Sequence, residues 1–396
     1  MPLQPYLRVL RIPGMPASTV AIALARLPMT AMSITLTLHI VSDLGRGYGA
    51  AGLVGTATTA GTAVAAPLVG RMIDRHGLRP VVAVCGIVSA AFWTSSPHLP
   101  YPVLLVAALP AGALVLPAGS IARQVITALV AEPQRRTAFS LDAISLEATF
   151  LIGPAIGIAV ATGLSSTVAL TGIGAVSAVC AAALYLLNPP TRTPEEAERS
   201  TGRRPPLRVW LDRRLFATLL IAIGALFVLV GTELAALAAL RESGDVAWTG
   251  ALIAVMAVAS LLGGLVHGAV RRSLSQLPLM VLLAVLVLPA GLVTEPWWLL
   301  ALVLIPTNVV CAPTLAATTE SVSRLAPPEV RGEAMGLQDS ATRIGLALGS
   351  PVVGFVIDSS QPGWGFVAAG AGGLVFAAVG AALQRRPARA RVRVPV

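Results

Sequence analysis

The sequence contains no lysine, only three cysteines and four histidines, 5% aromatic residues and 12% charged residues in a length of 396. Each shortage excludes something. A soluble domain carries about 25% charged residues, so a share this low leaves too little polar surface for a water-facing or disordered chain. Cys85, Cys180 and Cys311 fall in separate apolar runs without metal-ligand spacing, which reads as packed thiols rather than a disulfide framework. Scattered histidines and the absence of a Gly-x-x-x-x-Gly-Lys phosphate loop leave no basis for a metal centre or nucleotide site. Neither an enzyme nor an ATP-driven pump is expected, and no cofactor.

What is present is apolar. Hydrophobic residues make up 56% of the chain, and the mean hydropathy is +0.81. A membrane-crossing helix needs about 20 apolar residues at about 1.5 Å rise each. On that rule the chain divides into twelve spans: 15–41, 48–70, 78–96, 101–130, 137–163, 166–187, 215–240, 246–270, 276–294, 296–322, 331–357 and 363–383. The runs are continuous and lack the period-2 alternation of barrel strands, so an all-α membrane protein is expected. The first span is too long for a signal-peptide core and carries Arg26, which reads as a retained helix.

The formal charge of +10 is carried by 28 arginines against 18 acids. In the twelve-span arrangement 23 arginines fall on one side and two, Arg46 and Arg241, on the other. By the positive-inside rule the rich side is cytoplasmic, together with both termini. The charge is spread over short loops without an aromatic platform, which favours topology over nucleic-acid binding. The excess of Ala, Gly, Pro and Arg matches GC-rich codons, and a bacterial cell membrane is the expected setting.

Segment 188–214, with seven arginines and four acids, is the one long polar connection. It divides the chain into six-span bundles, 1–187 and 215–396, the second ending in a basic tail. A shift of 196 residues lays Arg135, Ala138, Leu141 and Gly153 on Arg331, Ala334, Leu337 and Gly349, and Arg75 on Arg271. An even number of spans per half gives both halves one orientation, as in a parallel repeat.

The loop between spans 2 and 3 reads Gly70-Arg-Met-Ile-Asp-Arg-His-Gly-Leu-Arg79. It resembles the signature loop of the major facilitator superfamily, Gly-x-x-x-Asp-Arg-x-Gly-Arg-Arg/Lys. Gly70, Asp74, Arg75, Gly77 and Arg79 occupy pattern positions, and Leu78 stands where a basic residue is usual. The resemblance implies the major facilitator fold and a latch between Asp74 and the start of span 11. The corresponding loop of the second half, Gly268 to Arg272, lacks the acid, so the latch is one-sided. Gly153, Pro154 and Gly157 in span 5 resemble the Gly-Pro-x-x-Gly element of the drug/proton antiporter branch. Arg123 in span 4 stands where such exporters carry an arginine, without the glycines that surround it there.

Ionisable side chains inside spans are costly and mark functional candidates. Counted from the arginine-rich end, the depths are roughly 16 Å for Arg26, 15 Å for Glu147, 10 Å for Arg123, 8 Å for Asp142, 18 Å for Arg343 and 12 Å for Asp339. Matching depths suggest the pairs Arg26–Glu147, Arg123–Asp142 and Asp339–Arg343, the last at i,i+4. Glu147 reads either as a proton carrier tuned by Arg26 or as half of a structural ion pair. Arg123 and Asp142 join them as proton-coupling candidates, with an anionic-substrate ligand as the alternative for Arg26 and Arg123. Glu233, His39 and Asp43 read as outer-vestibule residues, His267 as a solvated helix end, and Asn308 as a cavity donor or packing residue.

The expectation is therefore a monomeric carrier in the lipid bilayer working by alternating access. Proton-coupled efflux of a small amphipathic molecule is favoured. A sugar or metabolite carrier of the same fold would want more aromatic residues, and a transport-inactive sensor is the third reading.

Overall fold

The computed structural model describes residues 4–193, 195–196, 205–270 and 273–385. Arg199, Arg203, Arg204, Arg271, Arg272, Arg386, Arg389, Arg391 and Arg393, counted in the charge asymmetry, lie outside the described residues.

Among the described residues there are only helices and connections. A short helix α1 (Gln4–Leu10) is followed by α2 (Met15–Leu38), α3 (Tyr48–His76), α4 (Leu78–Ser95), α5 (Tyr101–Ala113), α6 (Ala118–Leu129), α7 (Glu132–Gly163) and α8 (Ser166–Leu187). After a one-turn helix α9 (Leu207–Trp210) come α10 (Arg213–Glu242), α11 (Thr249–Ala269), α12 (Gln276–Leu286), α13 (Trp297–Leu325), α14 (Arg331–Ser359) and α15 (Pro362–Arg385). Eleven helical segments are long and apolar enough to cross a membrane, and the twelfth, Gln276–Leu292, is shorter. Its α-helix stops at Leu286, and a 3-10 segment containing Pro289 completes it. Proline supplies no amide donor and so ends the α-helical ladder early.

The fourth span is not one helix. It breaks over 114–117 between α5 and α6, where Pro110 and Pro117 flank the interruption. Backbone freed inside a membrane has to find partners. Thr62 donates to the Gly112 carbonyl at 2.8 Å and Ser89 to that of Leu114 at 3.5 Å.

α7 begins earlier than the apolar run, because Glu132-Pro-Gln-Arg-Arg continues it as a polar first turn with Pro133 near its start. That turn fails a hydropathy rule but needs no apolar surroundings. Similarly, the Asp212 carboxylate caps α10 by accepting from the Arg214 and Leu215 amides at 3.1 and 2.9 Å.

Two cores draw only on residues 21–184, around Val82, Ile121 and Leu184 and around Ile40, Leu104 and Leu170. Another draws only on residues 221–377, around Leu240, Leu283 and Phe366. A smaller one is shared, with Val9, Phe139 and Ala143 packed with Ala312 and Ala316. Polar contacts between the two sets of spans run from the arginine-rich end inward as far as Ser260–Glu147 and Ser340–Ala63. Beyond those, toward the opposite end, the described residues show no polar contact between the sets.

Candidate functional site

The arginine-rich end is closed by backbone chemistry as much as by side chains. Asp74, near the end of α3, accepts from the Gly332 amide through Oδ1 and the Glu333 amide through Oδ2, each at 2.9 Å. These are first-turn amides of α14, which have no partner within their own helix and favour an anion. Such close approach needs glycine on both sides. A Cβ at Gly70 would overlap the Gly332 carbonyl oxygen, and one at Gly332 would stand 2.6 Å from Asp74 Oδ1. Gly77 turns the chain between α3 and α4 at φ 82°, a left-handed conformation cheap only without a side chain. Arg79 donates to the Tyr185 carbonyl at 3.2 Å and lies 5.5 Å over its ring. Arg75 is exposed.

The connection after α8 reinforces this closure. Arg192 donates to the Asp74 carbonyl at 2.6 Å, and Arg331 reaches Glu196 through both terminal nitrogens, at 2.9 and 2.7 Å. Thr193 and Glu196 cap each other, with the Thr193 amide on Glu196 Oε2 at 3.1 Å and the Glu196 amide on Thr193 Oγ1 at 3.2 Å. Burial alone would raise the Glu196 carboxyl. The Arg331 guanidinium and the Thr193 amide outweigh that and hold it below its ordinary range.

α1 lies across the same end. The Tyr6 hydroxyl donates to the carbonyls of Gly264 and Leu265 at 3.0 and 2.8 Å. Desolvation pushes that hydroxyl up to about 12, so it stays a donor. Thr127 and Ser323 meet at 2.8 Å, and Thr137 donates to the Gly268 carbonyl at 2.6 Å. His267, read from sequence as a solvated helix end, is instead 4% exposed, with Nδ1 2.6 Å from Ser273 Oγ.

Deeper in, the charged residues pair differently from their matched sequence depths. Arg26 joins Asp142, not Glu147, at 2.8 Å to Oδ1, with a longer 3.4 Å contact to its carbonyl. Arg123 joins Asp339, not Asp142, at 3.2 Å. Asp339 and Arg343 approach to 3.6 Å on α14, so this acid is shared between two arginines. The early start of α7 accounts for the first change. Counted from Glu132 rather than 137, Asp142 lies roughly 15 Å deep, level with Arg26, and Glu147 roughly 22 Å deep.

Glu147 has no arginine. Its Oε1 accepts from Ser260 on α11 at 2.9 Å and lies 4.0 Å from the Cys311 thiol on α13. Glu233 on α10 is exposed. Ser260 and Cys311 carry no charge and no motif, so nothing in the sequence marks them as partners of Glu147. Asn308 spends its amide on the Leu304 carbonyl in its own helix at 2.9 Å and is 4% exposed. His39 is buried between Asp43 at 2.8 Å and Ser166 at 2.9 Å.

Gly153 and Gly157 seat α7 against α2. A Cβ at Gly153 would overlap Thr30 Oγ1, and Thr30 donates to the Thr149 carbonyl at 2.8 Å. Pro154 sits within α7 without ending it. Among the described residues no group of three or more His, Cys, Asp or Glu could hold a metal ion.

Two sets of apolar spans, joined by polar contacts at the arginine-rich end and with charges between them, have the organisation of a transport protein rather than an enzyme. The profile described as Major Facilitator Superfamily matches residues 19–292 and 236–395, in two overlapping stretches. The chain belongs to that superfamily.

Solved structures show the same fold. The human organic anion transporter MFSD10 (TETRAN) superposes with a TM-score of 0.74 at 17% identity, over 93% of this chain and 99% of that one. A bacterial homologue of the iron transporter ferroportin, in an outward-facing state, gives 0.73 at 16%, over 93% and 99%. The proton:xylose symporter XylE, bound to 6-bromo-6-deoxy-D-glucose, gives 0.69 at 13%, over 91% and 94%. No curated protein matches in sequence.

Proposed function

We propose that the protein is a proton-coupled exporter of a small amphipathic molecule, with its arginine-rich end in the cytoplasm and its two six-span bundles rocking about the site between them. The observation that carries this is Glu147. It lies near the middle of α7, at the boundary of the bundles, and its two hydrogen-bond partners, the Ser260 hydroxyl and the Cys311 thiol, both come from the other bundle. A carboxylate charge is costly in a membrane unless paired or neutralised, and no arginine pairs it. Rocking that parts α7 from α11 removes the Ser260 hydroxyl, so proton occupancy and conformation are linked. Of the other acids inside spans, Asp142 and Asp339 are held by arginines and are less suited to give up and regain a proton, and Glu233 lies exposed toward the far end of α10. Gly153, Pro154 and Gly157 add the likeness to the drug/proton antiporter branch.

The test is flux in proteoliposomes under an imposed pH gradient, with a panel of amphipathic compounds, for wild type and Glu147→Gln. Wild type should respond to the gradient. The variant should fold and exchange substrate but lose that response. A gradient response retained in full by Glu147→Gln removes the assignment of Glu147, and flux indifferent to the gradient in wild type removes proton coupling.

A further inference from the structure

The intramembrane charges between the bundles do not balance locally. Arg26 has the Asp142 carboxylate to itself, and Glu147 is bound to Ser260. That leaves Arg123, from the first bundle, and Arg343, from the second, to share Asp339, so the group carries one net positive charge. Arg123 is 9% exposed and donates one hydrogen bond to Asp339 Oδ1, at 3.2 Å. Arg343 is in a different position. Its Nε stands 3.6 Å from Asp339 Oδ2, beyond hydrogen-bonding range, and is buried without an acceptor. Among the described residues its one ionic partner is Asp339, held at that distance.

A guanidinium offers five N–H donors in a planar fork, and leaving it without an acceptor in a membrane interior is expensive. Arg26 and Arg331 also leave Nε without an acceptor, but each reaches a carboxylate through its terminal nitrogens at hydrogen-bonding distance, which Arg343 does not. The site is also reachable, because Asp339 and Arg343 keep 27% and 20% of their side-chain surface exposed. Gly119 keeps it roomy, since a Cβ there would stand 3.3 Å from Arg123 Nη2.

We propose that Arg343, together with Arg123, binds the anionic group of the transported molecule, a carboxylate, sulfonate or phosphate monoester on an apolar body. Such a group, planar in a carboxylate and tetrahedral in a sulfonate or phosphate, presents two oxygens on one centre that match the fork with two parallel hydrogen bonds. It supplies the missing negative charge, and it bridges both bundles, so its binding differs between conformations. This assignment rests on the reading of the chain as a solute carrier, but not on Glu147 as the proton carrier.

The test is fluorescence titration of the purified full-length protein with the monocarboxylate dansylglycine and with the cation rhodamine 6G, in neutral detergent. Arg343→Gln brings the group to zero net charge, and dansylglycine should weaken at least about tenfold, the size of one lost charge-assisted hydrogen bond. Asp339→Asn raises the group to two positive charges and should bind dansylglycine no more weakly than wild type. Arg343→Lys, which keeps the charge and loses the fork, should fall between. Rhodamine 6G should follow none of these changes. Size-exclusion and melting profiles of each variant separate lost binding from lost fold.

The proposal is overturned if wild type does not bind dansylglycine, or if Arg343→Gln and Asp339→Asn change its affinity in the same direction. It is also overturned if a folded Arg343→Gln binds as wild type does. Nanodiscs containing phosphatidic acid, whose headgroup is a phosphate monoester, identify the source of the anion. Competition with dansylglycine points to a lipid headgroup, and its absence to a soluble molecule. A pH-independent flux with intact dansylglycine binding would remove the proton-coupling reading and leave this one standing.

Discussion

Asp74 is a single carboxylate that closes one end of the molecule by capping a helix in the other bundle. It accepts from two first-turn backbone amides, those of Gly332 and Glu333. Replacing a helix cap by alanine costs about 1–2 kcal/mol. Here that cost falls on the closed state, because the cap exists only while α3 and α14 touch. Asp74→Ala should therefore speed amide hydrogen exchange across the first turn of α14 while leaving α4 and α8 protected. Unchanged exchange at Gly332 and Glu333 would show that the carboxylate does not hold this contact. The residue scale is also where sequence was least able to place the site. Depth along a helix can be counted, but the direction a side chain faces depends on its neighbours. Asp142 and Glu147 are five residues apart and so point about 140° away from each other. Asp142 meets α2, and Glu147 meets α11. Counting spans could not reveal that, and it could not reveal that Arg123 would cross to the second bundle.

At the scale of elements, the polar connection between the bundles acts on the same closed end. Its capped turn at Thr193–Glu196 presents a carboxylate to Arg331, at the start of α14. Because Glu196 is held below its ordinary range in this state, proton linkage gives the sign directly. The clamp is complete above the free carboxylate pKa and is lost only as pH falls through the lowered folded value. Glu196→Gln should reproduce the acid condition at neutral pH and weaken the closed state by about 1–2 kcal/mol. Spin labels at His76 and Arg213, on the two bundles at this end, should show a longer distance population in the variant. Wild type should show the same population only in acid. A distance distribution identical at all pH values would mean that the strap carries no closing energy. The helices themselves were legible because twelve apolar runs separated by arginine-rich loops admit few other arrangements. The breaks within them were not, since Pro110 and Pro117 interrupt the fourth span while Pro154 leaves α7 continuous. Whether a proline ends a helix depends on what its neighbours can do for the freed carbonyls, as Thr62 and Ser89 do beside α5.

For the whole molecule, closure of the arginine-rich end is one rigid-body variable, because the polar contacts between the bundles among the described residues run from that end inward only as far as Glu147 and Ser340. Tyr6, Asp74, Thr127, Thr137 and Glu196 each reach a different partner in the second bundle. Any motion that opens this end breaks them together, which makes the state sharply two-valued rather than graded. A covalent link across one of these contacts should then stop the cycle without disturbing either bundle. Thr127 Oγ1 and Ser323 Oγ are 2.8 Å apart, on α6 and α13, so cysteines at both positions face each other closely enough to join. The native Cys85, Cys180 and Cys311 are buried and free, so they do not compete. Oxidised Thr127→Cys/Ser323→Cys protein should retain its fold and still accept ligand from the open end. Whatever its ligand binding, it should show no net flux in proteoliposomes and recover flux on reduction. The single substitutions should transport in both redox states. Flux that persists in fully cross-linked protein would mean that the arginine-rich end does not have to open, and alternating access by rocking would be the wrong description of this carrier.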